Sequence, residues 1–208
     1  MAPSDDQALV TALRNGDEAT FAALVTRYHA SLRRVARTFV SSDASADEVV
    51  QDTWAAVLHG IGEFEGRASF KTWLFRILVN RAKTRGVREA RIVPESSLAS
   101  DDDAGTDGPT VDPARFTSKG HWASPPQRWE AMTPESLLLR DELVVQLQTA
   151  IAQLPARLAS IVVMRDALGW SSEEVCNVLE IAETHQRVLL HRARARLRAM
   201  LETYKNHG

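Results

Sequence analysis

Two stretches of this sequence concentrate positive charge and almost exclude acidic residues. Between positions 67 and 91, eight lysines and arginines accompany a single acid, Glu89. Between positions 187 and 198, five arginines and one histidine accompany no acid. A helix on an ordinary solvated surface pairs its basic residues with acids three or four positions away, and here such acids are largely missing. We therefore interpret both stretches as surfaces that bind the phosphates of a nucleic acid.

The rest of the composition points away from catalysis. The chain has 25 basic and 27 acidic residues, so the contrast comes from segregation of charge and not from an excess. Its single cysteine, Cys176, cannot form an internal disulfide. We find no clustered Cys and His spacing, no glycine-rich phosphate loop and no G-x-S-x-G elbow. We expect no metal, no cofactor and no enzymatic activity.

The sequence also lacks the marks of export. The first residues do not combine a basic start with an apolar stretch, as a signal peptide does. No apolar run approaches the roughly 20 residues that cross a bilayer. We expect a cytoplasmic protein without direct membrane insertion.

Hydrophobic periodicity predicts helices throughout and no strand of any length. Residues from about 4 to 92 read as consecutive helices, one of them opened by a capping box that begins at Ser45. Glycines at 60, 62 and 66 predict a loop, after which the last helix of this part begins at about Ser69.

A long segment interrupts the helical pattern. Residues 94–134 carry six of the eight prolines and a run of acidic residues, but few apolar ones, which is typical of a linker. Helical spacing then resumes to about residue 204. We predict an all-α fold with two small helical domains, 1–93 and 135–208, joined by this acidic linker.

The second domain carries a helix-turn-helix pattern. Ser171 to Glu174 form a capping box that opens a short helix, and a basic helix follows after a tight connection. In such motifs the start of the second helix enters the major groove of DNA. There Gln186 and Arg187 suit base edges, whereas the later arginines suit phosphates.

Several segments resemble the extracytoplasmic-function (ECF) family of bacterial RNA polymerase sigma factors. Residues 46–54 resemble the polymerase-binding segment of that family, and residues 70–81 resemble its helix for promoter melting and −10 reading. Residues 154–157 and 190–198 resemble its −35-reading domain. The run 186–192 resembles an actinobacterial-looking branch of the family.

The resemblance implies a division of labour. The second domain is a helix-turn-helix that reads the −35 element, and the first domain binds core RNA polymerase, reads the −10 element and helps to melt it. The implied partners are the β′ clamp helices and β flap of the polymerase, promoter DNA and an anti-sigma factor. The residues implied to meet the clamp helices are Asp47, Glu48, Gln51 and Asp52.

Loop 62–69 resembles the loop that captures a flipped base of the −10 element. Such a base loses its stacking and needs a pocket with apolar walls and polar edges. On spacing alone, Trp73 favours a core position with Ile77. The residues implied to contact the −10 element are Phe64, Glu65, Arg67, Ser69, Lys71, Trp73, Arg76, Asn80, Lys83 and Arg85.

The −35 contacts implied by the resemblance depend on a turn that departs from the family pattern. Glu180 stands where glycine is common, and glutamate does not readily take a positive φ, so we expect a different turn geometry. The residues implied to contact the −35 element are His185, Gln186, Arg187, His191, Arg192 and Arg194.

The resemblance also implies a role for the linker. Its acidic residues 101–103 are expected to mimic RNA in the polymerase channels.

Two other functions remain open from the residues alone. A dimeric helix-turn-helix regulator accounts for residues 171–198 but not for the charged helices of the first domain. A nucleic-acid enzyme needs carboxylates near a basic cleft, and Asp47, Glu48 and Asp52 are the nearest candidates. Tight operator binding without polymerase indicates the first alternative, and cleavage with Mg²⁺ indicates the second.

Overall fold

The computed structural model describes residues 3–92 and 134–205. Both ranges are helical, and neither contains a strand, which confirms the all-α prediction. The linker predicted for 94–134, including acids 101–103, lies outside the described residues apart from Pro134, so the domain boundaries stay a prediction.

Eight α-helices make up the described residues. The first part contains α1 (Pro3–Arg14), α2 (Glu18–Ala36), α3 (Asp43–Gly60) with a 3₁₀ turn at Ile61–Glu63, and α4 (Phe70–Ile92). The second contains α5 (Pro134–Ala152), α6 (Ala156–Val162) with a π-helical turn at Val163–Ala167, α7 (Ser172–Leu179) and α8 (Glu183–Lys205). None of the described helices combines the length and apolar composition needed to cross a membrane.

Side-chain caps determine where the helices of the first part begin. Ser42 caps α3, because its Oγ accepts a hydrogen bond from Ser45 N over 3.0 Å. The predicted start at Ser45 is therefore wrong: this residue is buried in the first turn of a helix that begins at Asp43. Ser69 caps α4 in the same way, with Thr72 N donating to its Oγ over 3.1 Å.

Helix α4 is the central element of the first domain and packs against α2, α3 and α7. Phe70, Leu74 and Leu78 recur every four residues along one face, and all three are fully buried. Burying each such side chain stabilises the fold by about 1.5–3 kcal/mol. This packing fixes the rotation of α4 and so determines where its basic residues point.

The far end of α4 lies unusually close to the turn that follows α2. A Cβ atom on Gly86 would lie 2.1 Å from the carbonyl oxygen of Phe39. Only glycine fits at this contact.

One helical turn beyond Gly86, Glu89 connects α4 to the turn that follows α2 through hydrogen bonds. Its carboxylate accepts hydrogen bonds from Ser41 N over 2.9 Å and from Ser41 Oγ over 2.7 Å. Burial raises the pKa of Glu89, but hydrogen bonds from Ser45, Ser41 and Arg85 outweigh it and lower the pKa to about 2. The carboxylate is therefore charged at neutral pH.

We expect Gly86→Ala to lower the free energy of unfolding by about 1–3 kcal/mol, because the added methyl group overlaps the carbonyl of Phe39. Urea denaturation measures the change. Gly62→Ala is the matched control, since a Cβ atom there meets nothing within 4 Å. A more stable Gly86→Ala protein, as alanine gives in an unconstrained helix, contradicts this account.

Candidate nucleic-acid interface

An aromatic cluster forms where the loop after α3 meets α4. The ring centroid of Phe64 lies 5.0 Å from that of Trp73 and 6.4 Å from that of Phe70. Phe70 is fully buried, whereas Phe64 and Trp73 are half-buried. Trp73 is thus neither a pure core residue nor a free surface residue, but part of the wall of an open cleft.

That cleft has a volume of about 1350 Å³ and lies between α1, the loop and the start of α4. The aromatic rings supply an apolar wall, and charged side chains stand at its edge. An unstacked base requires this combination. Six of the residues predicted for −10 contact line it: Phe64, Glu65, Arg67, Ser69, Trp73 and Arg76.

Two residues of α1 that were not among the predicted site residues hold the loop. Arg14 donates hydrogen bonds to backbone carbonyls of the loop, and the Asp6 carboxylate accepts one from Phe70 N over 3.0 Å. Both contacts join residues at least 47 positions apart, so no local pattern reveals them. Within the loop, Arg67 forms an ion pair with Glu65.

Further along α4, the predicted −10 residues differ in their surroundings. Asn80 and Lys83 are exposed. Arg85 forms ion pairs with Glu48 of α3 over 2.7 Å and with Glu89 over 3.0 Å. These contacts direct the guanidinium of Arg85 towards α3.

The four residues predicted to meet polymerase lie on α3. Asp47 is held by Arg33 over 2.8 Å, and Glu48 is held by Arg85. Gln51 and Asp52 are exposed one turn further on. The acidic face is thus partly engaged by arginines of the same domain.

The structure of α7 confirms the predicted capping box. Glu174 N donates to Ser171 Oγ over 3.1 Å, and Ser171 N donates to a carboxylate oxygen of Glu174 over 2.8 Å. At its other end, Glu180 has φ 57° and ψ 47°, in the left-handed region. The expected change of turn geometry is therefore not observed. Glutamate adopts the conformation that glycine takes freely, at a cost of about 1 kcal/mol.

The second helix of the motif, α8, exposes only some of the residues predicted to read the −35 element. His185 and Arg187 are exposed near its start, and Arg187 also pairs with Glu183 over 2.8 Å. Gln186 is only 2% exposed, and Ser172 Oγ of α7 donates to its side-chain oxygen over 3.1 Å. In this structure the side chain of Gln186 packs between the two helices of the motif, and its assignment to a base edge stays a prediction.

The remaining predicted residues follow along α8. His191 is exposed and Arg192 is half-buried, while Arg194 pairs with Asp166 through contacts of 2.6 and 2.9 Å. Val188, which was not among the predicted residues, is 47% exposed at the start of this face. In the sequence, the available signal was an apolar residue directly after Arg187, near the start of the basic helix.

The two domains meet where α7 lies against α4. Lys71 Nζ lies 2.8 Å from a carboxylate oxygen of Glu174 and 4.1 Å from the ring centroid of Trp170. The Trp170 ring in turn packs edge-on against Phe75, with centroids 4.6 Å apart. Arg76 Nε donates to the carbonyl oxygen of Asn177 over 2.6 Å. Two residues predicted for −10 contact are thus engaged by the second domain.

The Glu174 carboxylate is charged in this contact. Burial raises its pKa, but hydrogen bonds from Lys71 and Ser171 outweigh burial and hold the pKa below its usual value. The pKa of Glu174 is thus lower in the folded chain than its usual value, so its contacts with Lys71 and Ser171 stabilise this arrangement at neutral pH. That stabilisation is lost as the pH falls through the lowered pKa.

We expect Glu174→Gln to separate the domains more often, because the charge is lost while an oxygen remains to accept from Ser171 N. Spin labels at Ala23 and Arg157, both exposed, report the distance between domains in a chain whose Cys176 is replaced by alanine. The variant should show longer and broader distances, and acidification of the parent chain should do the same. Glu173→Gln, exposed on the same turn, is the control. Equal distance distributions for all three chains contradict the role of this ion pair.

Comparison with known families and proteins adds to the geometry. Sigma-70 region 2 matches residues 24–92, and Sigma-70, region 4, matches residues 145–197. The chain is 31% identical over 189 residues to the ECF RNA polymerase sigma-E factor of Escherichia coli strain K12, covering 91% of this chain and 90% of the relative. It is 29% identical over 189 residues to the RNA polymerase sigma-H factor of Pseudomonas aeruginosa, with the same coverage.

Solved structures share the fold. CnrH in complex with the cytosolic domain of CnrY matches with a TM-score of 0.59 and 22% identity, covering 95% of this chain and 97% of that one. The sigma factor RpoE from Bartonella quintana, in complex with the anti-sigma factor NepR, matches with a TM-score of 0.57 and 21% identity. That match covers 88% of this chain and 96% of the other.

Proposed function

The chain belongs to the ECF family of RNA polymerase sigma factors, and we propose that it reads the −10 and −35 elements of its promoters with separate domains. It directs transcription initiation at promoters. The observation that carries the assignment is the order of the two sigma-70 regions, the first with a basic helix beside an aromatic cleft and the second with a helix-turn-helix. In this division, residues 1–93 bind core polymerase and the −10 element, 94–134 connect the domains, and 135–208 read the −35 element.

The cleft beside Phe64 and Trp73 is the proposed site for the flipped −10 base. Its aromatic wall replaces the stacking that the base loses, and the charged edge supplies polar contacts. Asn80 and Lys83 extend this surface along the exposed side of α4. Because α7 covers Lys71 and Arg76, these two residues contact the promoter only after the second domain has moved.

In the second domain, the exposed side of α8 is the proposed −35 surface. His185 and Arg187 stand where a recognition helix meets base edges, and Val188 suits the methyl group of thymine. His191, Arg192 and Arg194 follow along the helix and suit phosphates. Because residues 186–192 resemble an actinobacterial-looking branch of the family, we do not expect the −35 sequence of better-known members.

Core polymerase is the proposed partner of the acidic face of α3. Asp52 and Gln51 are exposed there, and an acidic surface speeds encounter with a basic one. The polymerase carries the chemistry, and this chain contributes binding energy, which offsets roughly 1.4 kcal/mol for each base-pair step that is opened. We place this activity in the cytoplasm, where core polymerase works.

An anti-sigma factor is the proposed regulator. The shared fold includes CnrH, solved with the cytosolic domain of CnrY, and RpoE, solved with the anti-sigma factor NepR. By analogy, a regulator of this chain covers surfaces that otherwise meet polymerase.

Transcription with purified core polymerase over a promoter library tests the assignment. We expect new promoter-specific transcripts when the chain is added. Asp52→Lys should abolish them at every promoter, because it removes charge from the polymerase face. Arg187→Glu should reduce them according to the −35 sequence, because it places a carboxylate against DNA.

Glu18→Lys, at an exposed residue at the start of α2, is the control for charge reversal and should transcribe normally. If the unaltered chain yields no transcripts but binds an operator tightly by itself, the regulator alternative is correct. Cleavage of the template with Mg²⁺ indicates a nucleic-acid enzyme.

A further inference from the structure

Arg14, the last residue of α1, binds three backbone carbonyl groups between the end of α3 and the loop that lines the cleft. Its Nε donates to Ile61 O over 3.1 Å, and its Nη2 donates to Gly62 O over 3.1 Å and to Phe64 O over 2.7 Å. The guanidinium group suits this task because its N–H donors form a rigid planar fork. We infer that Arg14 is a positioning residue for −10 base capture, an inference that rests on the proposed function.

The loop depends on the hydrogen bonds from Arg14 because its own backbone hydrogen bond is long. Phe64 N donates to Ile61 O over 3.3 Å, beyond the usual range of N–H···O bonds. The carbonyl groups at the end of a helix have no partner in the helix itself and carry partial negative charge. Arg14 therefore caps the end of α3 and its 3₁₀ turn with a cation.

The carbonyl of Phe64 connects this cap to the cleft. Arg14 holds the backbone of Phe64 on one side, while the Phe64 ring packs against Trp73 on the other. Because the backbone is fixed, the ring keeps the angle at which it forms the cleft wall. A change at Arg14, which itself lines the cleft, therefore alters the shape of the cleft while the side chains of Phe64 and Trp73 stay in place.

Helix α1 also secures the other end of the loop. The Asp6 carboxylate accepts a hydrogen bond from Phe70 N, the first residue of α4. The side chains of Asp6 and Arg14 thus hold the two ends of the segment that frames the cleft. This helix lies outside residues 24–92, which match the family region.

Arg14→Lys is the decisive variant, because lysine keeps the positive charge but cannot direct a rigid fork at several carbonyls. The first measurement is hydrogen exchange of the backbone amides in the full chain. We expect exchange of residues 62–69 to accelerate about tenfold, with α2 and α8 unchanged. Arg34→Lys, at an exposed arginine of α2, is the matched control and should leave the loop unchanged.

The second measurement is open-complex formation by the holoenzyme on four promoters that differ only at the captured −10 base. We expect Arg14→Lys to reduce the preference for the best base about tenfold, on the scale of one lost charged hydrogen bond. Affinity for core polymerase and dependence on the −35 sequence should stay as in the unaltered chain.

Two outcomes overturn the inference. One is unchanged exchange of the loop in Arg14→Lys, and the other is faster exchange with an unchanged base preference, which means that the contact only stabilises the domain. Failure of the proposed function is distinct, because the unaltered chain then forms no open complex on any of the four promoters.

Discussion

The burial of one face of α4 is the constraint on which the rest of the first domain depends. Phe70, Leu74 and Leu78 pack against α2 and α3, and Gly86 allows the far end of the helix to touch the turn after α2. With its rotation fixed at both ends, α4 presents a polar side to the surface. The aromatic cleft lies at its start, and the acidic face of α3 lies beside its end.

Many charged residues assigned to partners are already paired within the chain. Arg85 pairs with Glu48, Asp47 with Arg33, and Arg194 with Asp166. Ion pairs on an exposed surface contribute only about 0–1 kcal/mol, because water screens them. DNA phosphates or polymerase can therefore replace these internal partners at little cost.

The contact between α4 and α7 differs from those isolated pairs. It combines the ion pair of Lys71 with an aromatic contact between Trp170 and Phe75, and Trp170 is almost fully buried. Burial of apolar surface is not screened by salt. Movement of the second domain away from α4 must therefore be driven by new contacts elsewhere, such as those with core polymerase.

The sequence predicts features that depend on neighbouring residues better than features that depend on residues far apart along the chain. Helical periodicity predicted the all-α fold, and a local pattern predicted the capping box at Ser171. The start of α3 was misplaced because Ser42 and Ser45 both look like caps, and only packing decides between them. Gln186 was assigned to DNA from residue type, whereas its burial depends on how α7 crosses α8.

The contacts of Arg14 and Glu174 were beyond the reach of local patterns. They join residues 47 to 103 positions apart, and a single sequence contains no periodicity that relates such positions. Conversely, left-handed Glu180 shows that an unfavourable residue can occupy a turn when its neighbours fix the geometry.

Photo-crosslinking from one position in each domain tests the central claim, that two domains of this chain read two promoter elements within one polymerase complex. A photoreactive phenylalanine replaces Asn80 on α4 in one chain and Val188 on α8 in another. With core polymerase on a promoter, we predict crosslinks from position 80 to the −10 element and from position 188 to the −35 element. Crosslinks from both positions to the same element, or equally strong crosslinks without core polymerase, would contradict this account.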